Sequence, residues 1–428
     1  TIVKDAQGTP LEKEPATFLV DPEEAVAMVS AMRAAGWEVE GSQSADGLLQ
    51  YAVQRLQQEA KEYADRERAA ARFIDERVRA LQARRGIDVA AYQREGALWL
   101  ASHHGAVLAD QMGLGKTLQV LLSAPPGRGI VVLGPVAAKR AFREDVPKFR
   151  RGLGLPGDPD LTLTFLDGMN SFRWAAPGEI VVGSWATMPA AGTAPSPPPG
   201  TILVADEAHL LKNPKATRTI QFRALAAAVL RDPAGHVYEL TGSPFKNPRE
   251  GAKFVAKDLW EVLQNAQLGS NIFGTQKRFE ALRGSDKGNK LLAKGMLRRT
   301  RETVGLDKVG LTHQVVKIDV TAEQKREFDK FNEFLDDFLA AFIEKSKELA
   351  AERRNIVFAE ISKARKMLAS AKIPEMLAQV EEFEEQQEPL LVFSMHTGPI
   401  DVLAKREGWA VITGETSQKK RDQSVTAV

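Results

Sequence analysis

The segment from Val107 to Leu121, VLADQMGLGKTLQVL, places two glycines, a lysine and a threonine in one short turn between an apolar run and a helix-like run. Such a turn directs backbone N–H groups and the positive end of a helix dipole at one spot. Glycines let the backbone approach a bulky anion. Lys116 can reach the β- and γ-phosphates of a nucleotide, and the Thr117 hydroxyl can hold Mg²⁺. The segment therefore predicts a phosphate-binding loop.

The loop departs from the general eight-residue pattern at its first position. That pattern begins with glycine, and Asp110 stands there in this chain. Taken alone, the segment is also compatible with an ordinary strand-to-helix turn that carries an exposed lysine.

A second apolar run, TILVADEAHLLKNP, ends in two acids, Asp206 and Glu207. All strands of a parallel sheet end on the same edge, so we expect Asp206 near the glycine-rich turn. There Asp206 can hold Mg²⁺ through water, and Glu207 can orient or deprotonate an attacking water. For one acidic pair alone, helix capping is the simpler interpretation.

A third run, HVYELTGSP, ends with Thr241 and Ser243, small hydroxyls suited to sensing a γ-phosphate. Three strand ends with complementary chemistry, in this order along the chain, predict nucleotide hydrolysis.

Several elements must position these residues. Short runs rich in Val, Ile and Leu alternate with helical stretches from about residue 86 to residue 260, and they show no polar alternation. This pattern predicts strands buried on both faces, and hence a parallel sheet with helices on each side. The runs are AVLAD, GIVVLG, LTLTFL, EIVVG, TILVAD and HVYELTG, and QVVKIDV is a later strand-like run.

The flanking regions read differently. Asp21 resembles the N-cap of a first helix, and residues 48–81 form one long helical pattern. We expect that helix to pack on its own domain, with a partner-binding coiled coil as the alternative. Helical patterns return from about residue 322 to residue 386. The runs LLVFS, from Leu390, and WAVITG then predict buried strands that open a second α/β domain.

Composition sets wider bounds. A chain of 428 residues is too long for one core. A net charge of +2 does not by itself indicate nucleic acid, and the absence of cysteine excludes disulfides, thiolate metal sites and cysteine nucleophiles. No stretch resembles a transmembrane helix or a secretory signal. We expect a cytoplasmic protein, nucleoid-associated in a bacterium or nuclear in a eukaryote.

Together these segments resemble helicase superfamily two, in its DEAH-box form, and within it the Swi/Snf-type double-stranded DNA translocases. The most specific segment is DEAHLLKN, because the Lys212–Asn213 pair marks this family against RNA helicases. AAYQREGALWL resembles the glutamine motif, LTGSPFKNP matches motif three, and MLRRTRETVG matches the basic stretch that joins the two lobes. The spacing near SAKI and VFSMH favours the annealing-helicase branch.

The resemblance covers roughly residues 87–425 and implies a RecA-like α/β fold. The expected parts are an N-terminal helical extension (1–86), a complete first RecA-like lobe (87–310), a helical connector (311–388) and the beginning of a second lobe (389–428). The implied cofactors are ATP and Mg²⁺. The implied partner is double-stranded DNA, with protein partners through the N-terminal helices and no membrane.

The resemblance also implies roles for individual residues. Catalysis falls to Lys116, Asp206 and Glu207, and Mg²⁺ binding to Thr117 and Asp206. His209, Thr241 and Ser243 would couple hydrolysis to DNA contact. Gln93 would read the adenine, and the ATP-binding set is Gln93, Asp110, Gln111, Met112, Gly113, Leu114, Gly115, Lys116 and Thr117.

DNA contacts are predicted in two places. The first is Lys139 and Arg140, in a segment similar to the one that carries the first DNA-backbone contacts of the family. The second is residues 277–301, which hold nine cations and only two acids, a local excess suited to phosphates. The predicted contacts there are Lys287, Lys290, Lys294, Arg298 and Arg299. A solvated helix face is the alternative for most of them, and for Arg298 and Arg299 a structural role is the alternative, in which they pair with acids between lobes.

Departures from the family pattern leave other functions open. Gln111 replaces the usual Glu, Ala90 replaces a favoured arginine, and the late motifs of the second lobe, including its arginine finger, are absent. We therefore expect weak hydrolysis from this chain alone. The alternatives are a strand-separating DNA or RNA helicase and a non-hydrolysing, ATP-gated DNA-binding or assembly subunit.

Overall fold

A computed structural model describes most of the chain. The described residues are 43–136, 138–139, 142–144, 146–147, 161–243, 252–306, 321–326, 329–333, 336, 361–387, 389–417, 420–421 and 423–424. The chain divides into two compact units, Thr1–Gly310 and Leu311–Val428. The predicted domain boundaries at residues 86, 310 and 388 stay predictions. The predicted first helix and the run QVVKIDV lie outside the described residues.

The first unit contains one sheet of seven parallel strands, in the order β3-β4-β2-β5-β6-β1-β7. The strands are β1 (Gly105–Leu108), β2 (Ile130–Gly134), β3 (Thr162–Phe165), β4 (Glu179–Ser184), β5 (Ile202–Asp206), β6 (His236–Leu240) and β7 (Met296–Leu297). The predicted parallel, RecA-like α/β fold is confirmed. The two-residue β7 was not predicted, because a strand that short leaves no pattern in the sequence.

Helices cover the sheet. In the first unit they are α1 (Gln43–Arg85), α2 (Ala91–Ser102), α3 (Lys116–Ser123), α4 (Thr217–Val229), α5 (Ala252–Asn265), α6 (Leu268–Phe273), α7 (Gln276–Leu282) and α8 (Asp286–Ala293), with short 3₁₀ turns at Trp185–Thr187 and Ala208–Leu211. The second unit contains α9 (Ile373–Glu385) and α10 (Thr397–Leu403). No helix within the described ranges is long and apolar enough to cross a membrane.

Successive strand residues bury opposite faces of the sheet. Val107 belongs to a core shared with Phe222 of α4 and Leu263 of α5. Its neighbour Leu108 belongs to a second core shared with Leu121 of α3. Because both faces are covered, the strands read as continuous apolar runs.

The long helix α1 packs on the first unit. Ile74 and Leu81 are fully buried in the second core. The buried Arg77 donates to the carbonyl oxygens of Leu122, at 3.1 Å, and of Ala124. These contacts satisfy carbonyls at the C-terminal end of α3, where a cation is also favoured by the helix dipole. The expectation that this helix packs on its own domain is confirmed for the described part of the chain.

The predicted buried strands of the second unit are absent. Residues 390–394 and 409–414 are described and form no strand. Leu391, Phe393 and Met395 are 75%, 90% and 86% exposed. Sequence reasoning was wrong here because an apolar run becomes a strand only when another strand pairs with it, and none does within the described residues of this unit.

Strand β6 carries a fully buried carboxyl group, Glu239. Its Oε2 accepts a hydrogen bond from Asn265 Nδ2 at 3.1 Å, and its Oε1 has no partner. Burial raises the pKa of Glu239 from 4.5 to about 8. The folded state therefore holds a proton that the unfolded chain releases above pH 4.5. Stability should fall as the pH rises from 4.5 to about 8, because ionisation then stabilises the unfolded chain while the folded state keeps its proton.

We expect Glu239→Gln to remove this loss, since glutamine keeps the shape and stays neutral. One pKa unit is worth about 1.36 kcal/mol. After allowance for water entry at an ionised site, the variant should gain roughly 2–3 kcal/mol over the parent at pH 9 and little at pH 5. Denaturant unfolding at both pH values measures this, with the exposed Glu76→Gln as control. A gain that is the same at both pH values would contradict the account.

Candidate active site

The phosphate loop owes its shape to two glycines. Gly113 has φ +83° and Gly115 has φ +73°, and α3 begins directly after Gly115. Side chains rarely adopt this left-handed conformation. A Cβ on Gly115 would also lie 2.4 Å from Gln93 Nε2. The sequence thus needs glycine here both for the turn and for the close approach of α2.

Gln93 lies against this loop. Its Oε1 accepts a hydrogen bond from Ala90 N at 3.1 Å, and its Nε2 donates to Leu114 O at 3.5 Å. These bonds tie the start of α2 to the loop. The predicted reading of adenine by Gln93 stays a prediction.

Lys116 is the first residue of α3 and reaches back over the loop. Its Nζ donates to Asp110 O at 2.8 Å and to Gln111 O at 3.4 Å. Burial lowers the pKa of Lys116, and the charges of Glu207, Asp110 and Asp206 oppose that shift. A cation that is partly desolvated in this way interacts strongly with a polyphosphate.

The acid pair lies at the end of β5. Burial and, to a smaller extent, the charge of Glu207 raise the pKa of Asp206 to about 6, against the opposing effects of the Glu207 N–H bond and the charge of Lys116. Glu207 has φ +56° and ψ +48°, an uncommon conformation for a residue with a side chain. Its backbone N donates to Asp206 Oδ1 at 3.1 Å. Backbone strain of this kind is concentrated at functional sites.

A histidine connects the ends of β5 and β6. His209 Nδ1 lies 3.2 Å from Thr241 Oγ1 and 3.2 Å from Glu207 Oε2. Thr241 is fully buried, and its Oγ1 accepts from Ser243 N at 3.1 Å. Thr241 and His209 thus form a chain of polar contacts between the Ser243 turn and the Glu207 carboxylate.

The turn after β6 also touches the phosphate loop. A Cβ on Gly242 would lie 2.9 Å from Met112 Cγ and 3.8 Å from Lys116 Nζ. The structure thus brings the ends of β1, β5 and β6 to one edge of the sheet, as the sequence predicted.

Asp110, which follows β1, is bound by Arg299, which follows the neighbouring strand β7. Its carboxylate is fully buried and receives Arg299 Nη2 at 2.6 Å, Arg299 Nε at 3.1 Å and Gln119 Nε2 at 3.1 Å. Arg299 also donates to Gln119 Oε1 at 2.8 Å and to Tyr92 O. Because the carboxylate is enclosed, a role of Asp110 in binding ATP can pass only through its main chain.

The same contacts correct the assignment of Arg299. Its side chain is 12% exposed, and its guanidinium is occupied by partners within the first unit. A DNA phosphate would have to compete with a buried carboxylate. Arg299 is instead a positioning residue for the loop. Arg298, next to it, is exposed.

The assignment of Lys139 to DNA is corrected as well. Its side chain is 13% exposed, and its Nζ donates to Leu166 O and lies 3.0 Å from Asp167 Oδ1. This ammonium holds the end of β3 in place. Arg140 lies outside the described residues.

The other predicted DNA contacts share one helix face. Lys287, Lys290 and Lys294 lie on α8 or directly after it, and all three are exposed. Their spacing of three and four residues places them on one side of the helix. The predicted contact of these lysines with DNA phosphates stays a prediction.

The residues at the sheet edge suit Mg·ATP. Two left-handed glycines shape a loop without side chains at its turn, and Lys116 places a cation beside it. The Thr117 hydroxyl and the Asp206 carboxylate are oxygen ligands of the kind Mg²⁺ takes together with phosphates and water. When bound, Mg²⁺ would neutralise phosphate charge. No cluster of three metal-ligating side chains occurs in the described part of the chain.

Sequence reasoning missed Gln119 and the true partner of Arg299. A glutamine inside the apolar run LQVLL was the available signal, because a buried amide needs polar partners. Its pairing with a residue 180 positions later could not be read from the sequence.

Parts of the chain are similar in sequence to several known proteins. The chain is 25% identical over 269 residues to Zorya protein ZorD from Escherichia coli, covering 50% of this chain and 23% of that protein. It is 26% identical over 258 residues to Chromodomain-helicase-DNA-binding protein 1-like from Mus musculus, covering 56% and 27%. A 68-residue segment is 40% identical to ATP-dependent helicase rhp16 from Schizosaccharomyces pombe, covering 14% and 8%.

The chain thus spans about a quarter or less of the length of these curated relatives. No family model matches it. Among solved structures it is similar to the Sulfolobus solfataricus SWI2/SNF2 ATPase core in complex with dsDNA, at 18% identity and a TM-score of 0.37, covering 79% of this chain and 75% of that one. By sequence, the chain is thus similar in part to an ATP-dependent helicase and to a chromodomain-helicase-DNA-binding protein.

Proposed function

We propose that this chain is the ATP-binding part of an ATP-dependent translocase that moves on double-stranded DNA. The observation that carries the proposal is the convergence of Lys116, the Asp206–Glu207 pair and the His209–Thr241 link at one sheet edge. That set can bind a polyphosphate, hold a metal ion, activate water and transmit the state of the site to a neighbouring turn.

Glu207 is the proposed general base for the attacking water. Its backbone N donates to Asp206 Oδ1, and His209 Nδ1 lies 3.2 Å from its Oε2, so the histidine orients its carboxylate. Lys116 would bind the β- and γ-phosphates, and Thr117 with Asp206 would hold Mg²⁺. Thr241 and His209 are the proposed residues that couple ATP hydrolysis to DNA contact.

Duplex DNA is the proposed track. The support is the Lys212–Asn213 pair after the acidic box, the LTGSP turn and the exposed lysines of α8. One relative is a chromodomain-helicase-DNA-binding protein, which agrees with a DNA-directed ATPase.

The deciding experiment compares ATP hydrolysis without nucleic acid, with duplex DNA, with single-stranded DNA and with RNA, alongside a strand-displacement assay. Stimulation by duplex without strand separation supports the proposal. Strand separation would favour a helicase. ATP binding with no hydrolysis under any condition would favour an ATP-gated binding subunit.

The lysines of α8 give a separate prediction for DNA. Replacing Lys287, Lys290 and Lys294 with alanine should flatten the plot of log affinity against log salt by roughly 0.9 for each true phosphate contact. Duplex binding measured between 50 and 200 mM salt tests this. The control replaces three exposed lysines elsewhere, Lys61, Lys257 and Lys366. An unchanged slope in the α8 variant would show that these lysines do not contact DNA phosphates and form an ordinary solvated helix face.

A further inference from the structure

The segment that follows β7 runs alongside the phosphate loop. Gln111 N donates to Arg299 O at 2.9 Å, and Arg301 N donates to Gln111 Oε1 at 2.8 Å. Arg299 N donates to Asp110 Oδ1 at 3.0 Å. These bonds fix the register of the segment, so that residue 301 lies beside the glycine-rich turn.

The Arg301 side chain lies directly against that turn. A methyl group on Gly113 would lie 2.7 Å from Arg301 Nη2 and 3.7 Å from its Cζ. The guanidinium therefore covers the point at which the loop is bare of side chains. Glycine at 113 is required both for its φ of +83° and for this contact.

Among the residues that the structure describes, the guanidinium of Arg301 makes no hydrogen bond or ion pair. Arg301 is exposed, and within the described part of the chain no carboxylate or carbonyl pairs with its side chain. By contrast, the guanidinium of Arg299, two residues earlier, donates hydrogen bonds to Asp110, Gln119 and Tyr92. Five N–H donors held against an anion-binding turn are matched to a planar, multidentate oxyanion.

Arg301 and Lys116 approach the loop from different sides. Strand β1, which leads into the loop, lies between β6 and β7 in the sheet. Lys116 Nζ lies next to the Gly242 turn that follows β6. Arg301 belongs to the segment that follows β7. A phosphate chain on the loop would therefore meet one cation from each side.

We propose that Arg301 is a further nucleotide-binding residue, whose guanidinium contacts the β- and γ-phosphates of ATP across Gly113. The inference rests on the proposed ATP site. It assigns to the segment that follows β7 a direct contact with the nucleotide, so that residue 301 responds to the presence of the phosphates.

The test measures binding of a fluorescent ATP analogue, with competition by ATP, ADP and AMP, for the full chain and four variants. Arg301→Ala should weaken ATP and ADP binding by roughly 10- to 100-fold and leave AMP binding nearly unchanged, because AMP has neither the β- nor the γ-phosphate. The ATP affinity of Arg301→Lys should lie between those of the parent and Arg301→Ala, since lysine keeps the charge and loses the planar set of guanidinium donors.

Two variants calibrate the measurement. Lys116→Ala should lose ATP binding. Arg231→Ala removes the same charge as Arg301→Ala from an exposed turn before β6, at the opposite edge of the sheet, and should bind like the parent. The unfolding midpoint of Arg301→Ala should match that of the parent, because its side chain holds no structural partner in the described residues.

The outcomes separate the two proposals. If the parent binds ATP and Lys116→Ala does not, while Arg301→Ala binds ATP like the parent, the assignment of Arg301 is overturned and the ATP site stands. Equal weakening of ATP and AMP, or tighter ATP binding, would also overturn it. If the parent binds no ATP, the proposed function and this inference fall together.

Discussion

We expect Lys116→Ala to lose ATP binding by roughly 100-fold or more while keeping its fold, since charge-assisted contacts to phosphate are among the strong ones. We expect Glu207→Gln to bind ATP like the parent and to hydrolyse it about 10²–10⁴-fold more slowly, the usual contribution of a general base. Equilibrium binding and steady-state phosphate release, measured on the same preparations, give both numbers.

The structure explains why these two effects should separate. Lys116 Nζ donates to loop carbonyls and lies near the Gly242 turn, so its removal takes a cation from the loop itself. Glu207 lies at the end of β5 and contacts His209, so its removal changes the water-activating group and not the loop. Glutamine preserves its size and its ability to accept a hydrogen bond from His209.

The controls are an exposed lysine and an exposed glutamate of the same unit, Lys61→Ala and Glu76→Gln. Both should bind and hydrolyse ATP like the parent. Equal loss of ATP binding in Lys116→Ala and Glu207→Gln would contradict this division of roles.

The second large effect concerns stability. Arg299→Ala should lower the free energy of unfolding by roughly 3–5 kcal/mol, because it leaves the Asp110 carboxylate buried and without its cation. Asp110 is fully buried, and Arg299 supplies three of its hydrogen bonds. The backbone bond from Arg299 N would remain, so the loss falls on the two guanidinium contacts. Denaturant unfolding at neutral pH measures the change.

Two comparisons test the mechanism. Arg301→Ala removes an arginine from the same segment but an exposed one, and should change stability by less than about 0.5 kcal/mol. Combining Asp110→Asn with Arg299→Ala should recover part of the loss, because no uncompensated charge then stays buried. If Arg299→Ala proves as stable as Arg301→Ala, Asp110 does not depend on this partner.

Much of the first unit could be predicted from local pattern. Strands β1, β2, β4 and β5 follow from near-continuous apolar runs, because strands covered on both faces need no polar alternation. Strands β3 and β6 were also predicted, although their sequences include polar residues. The phosphate loop and the acid pair follow from residue types at fixed spacing beside strand ends, because the parallel arrangement carries all those ends to one edge. His209 and Thr241 were predicted to act together, and they lie 3.2 Å apart.

The partners of the cations were decided by the tertiary structure alone. Arg299 and Lys139 carry the same charge as Lys287 and Lys290, and their sequence surroundings are equally basic. Only the fold places Asp110 and Gln119 beside Arg299 and Asp167 beside Lys139. Partner choice for a long charged side chain depends on groups that are distant in sequence, which no local pattern encodes.

The apolar runs of the second unit also show that local pattern does not determine which segments find a partner. Residues 390–394 have the composition of a buried strand, yet Leu391 and Phe393 are exposed. Composition determines that a segment can form a strand. A neighbouring strand must supply the hydrogen bonds, and a covering layer must bury the side chains. The sequence by itself therefore determined which segments could build the sheet and carry the nucleotide chemistry, whereas the tertiary structure decided which of them found partners.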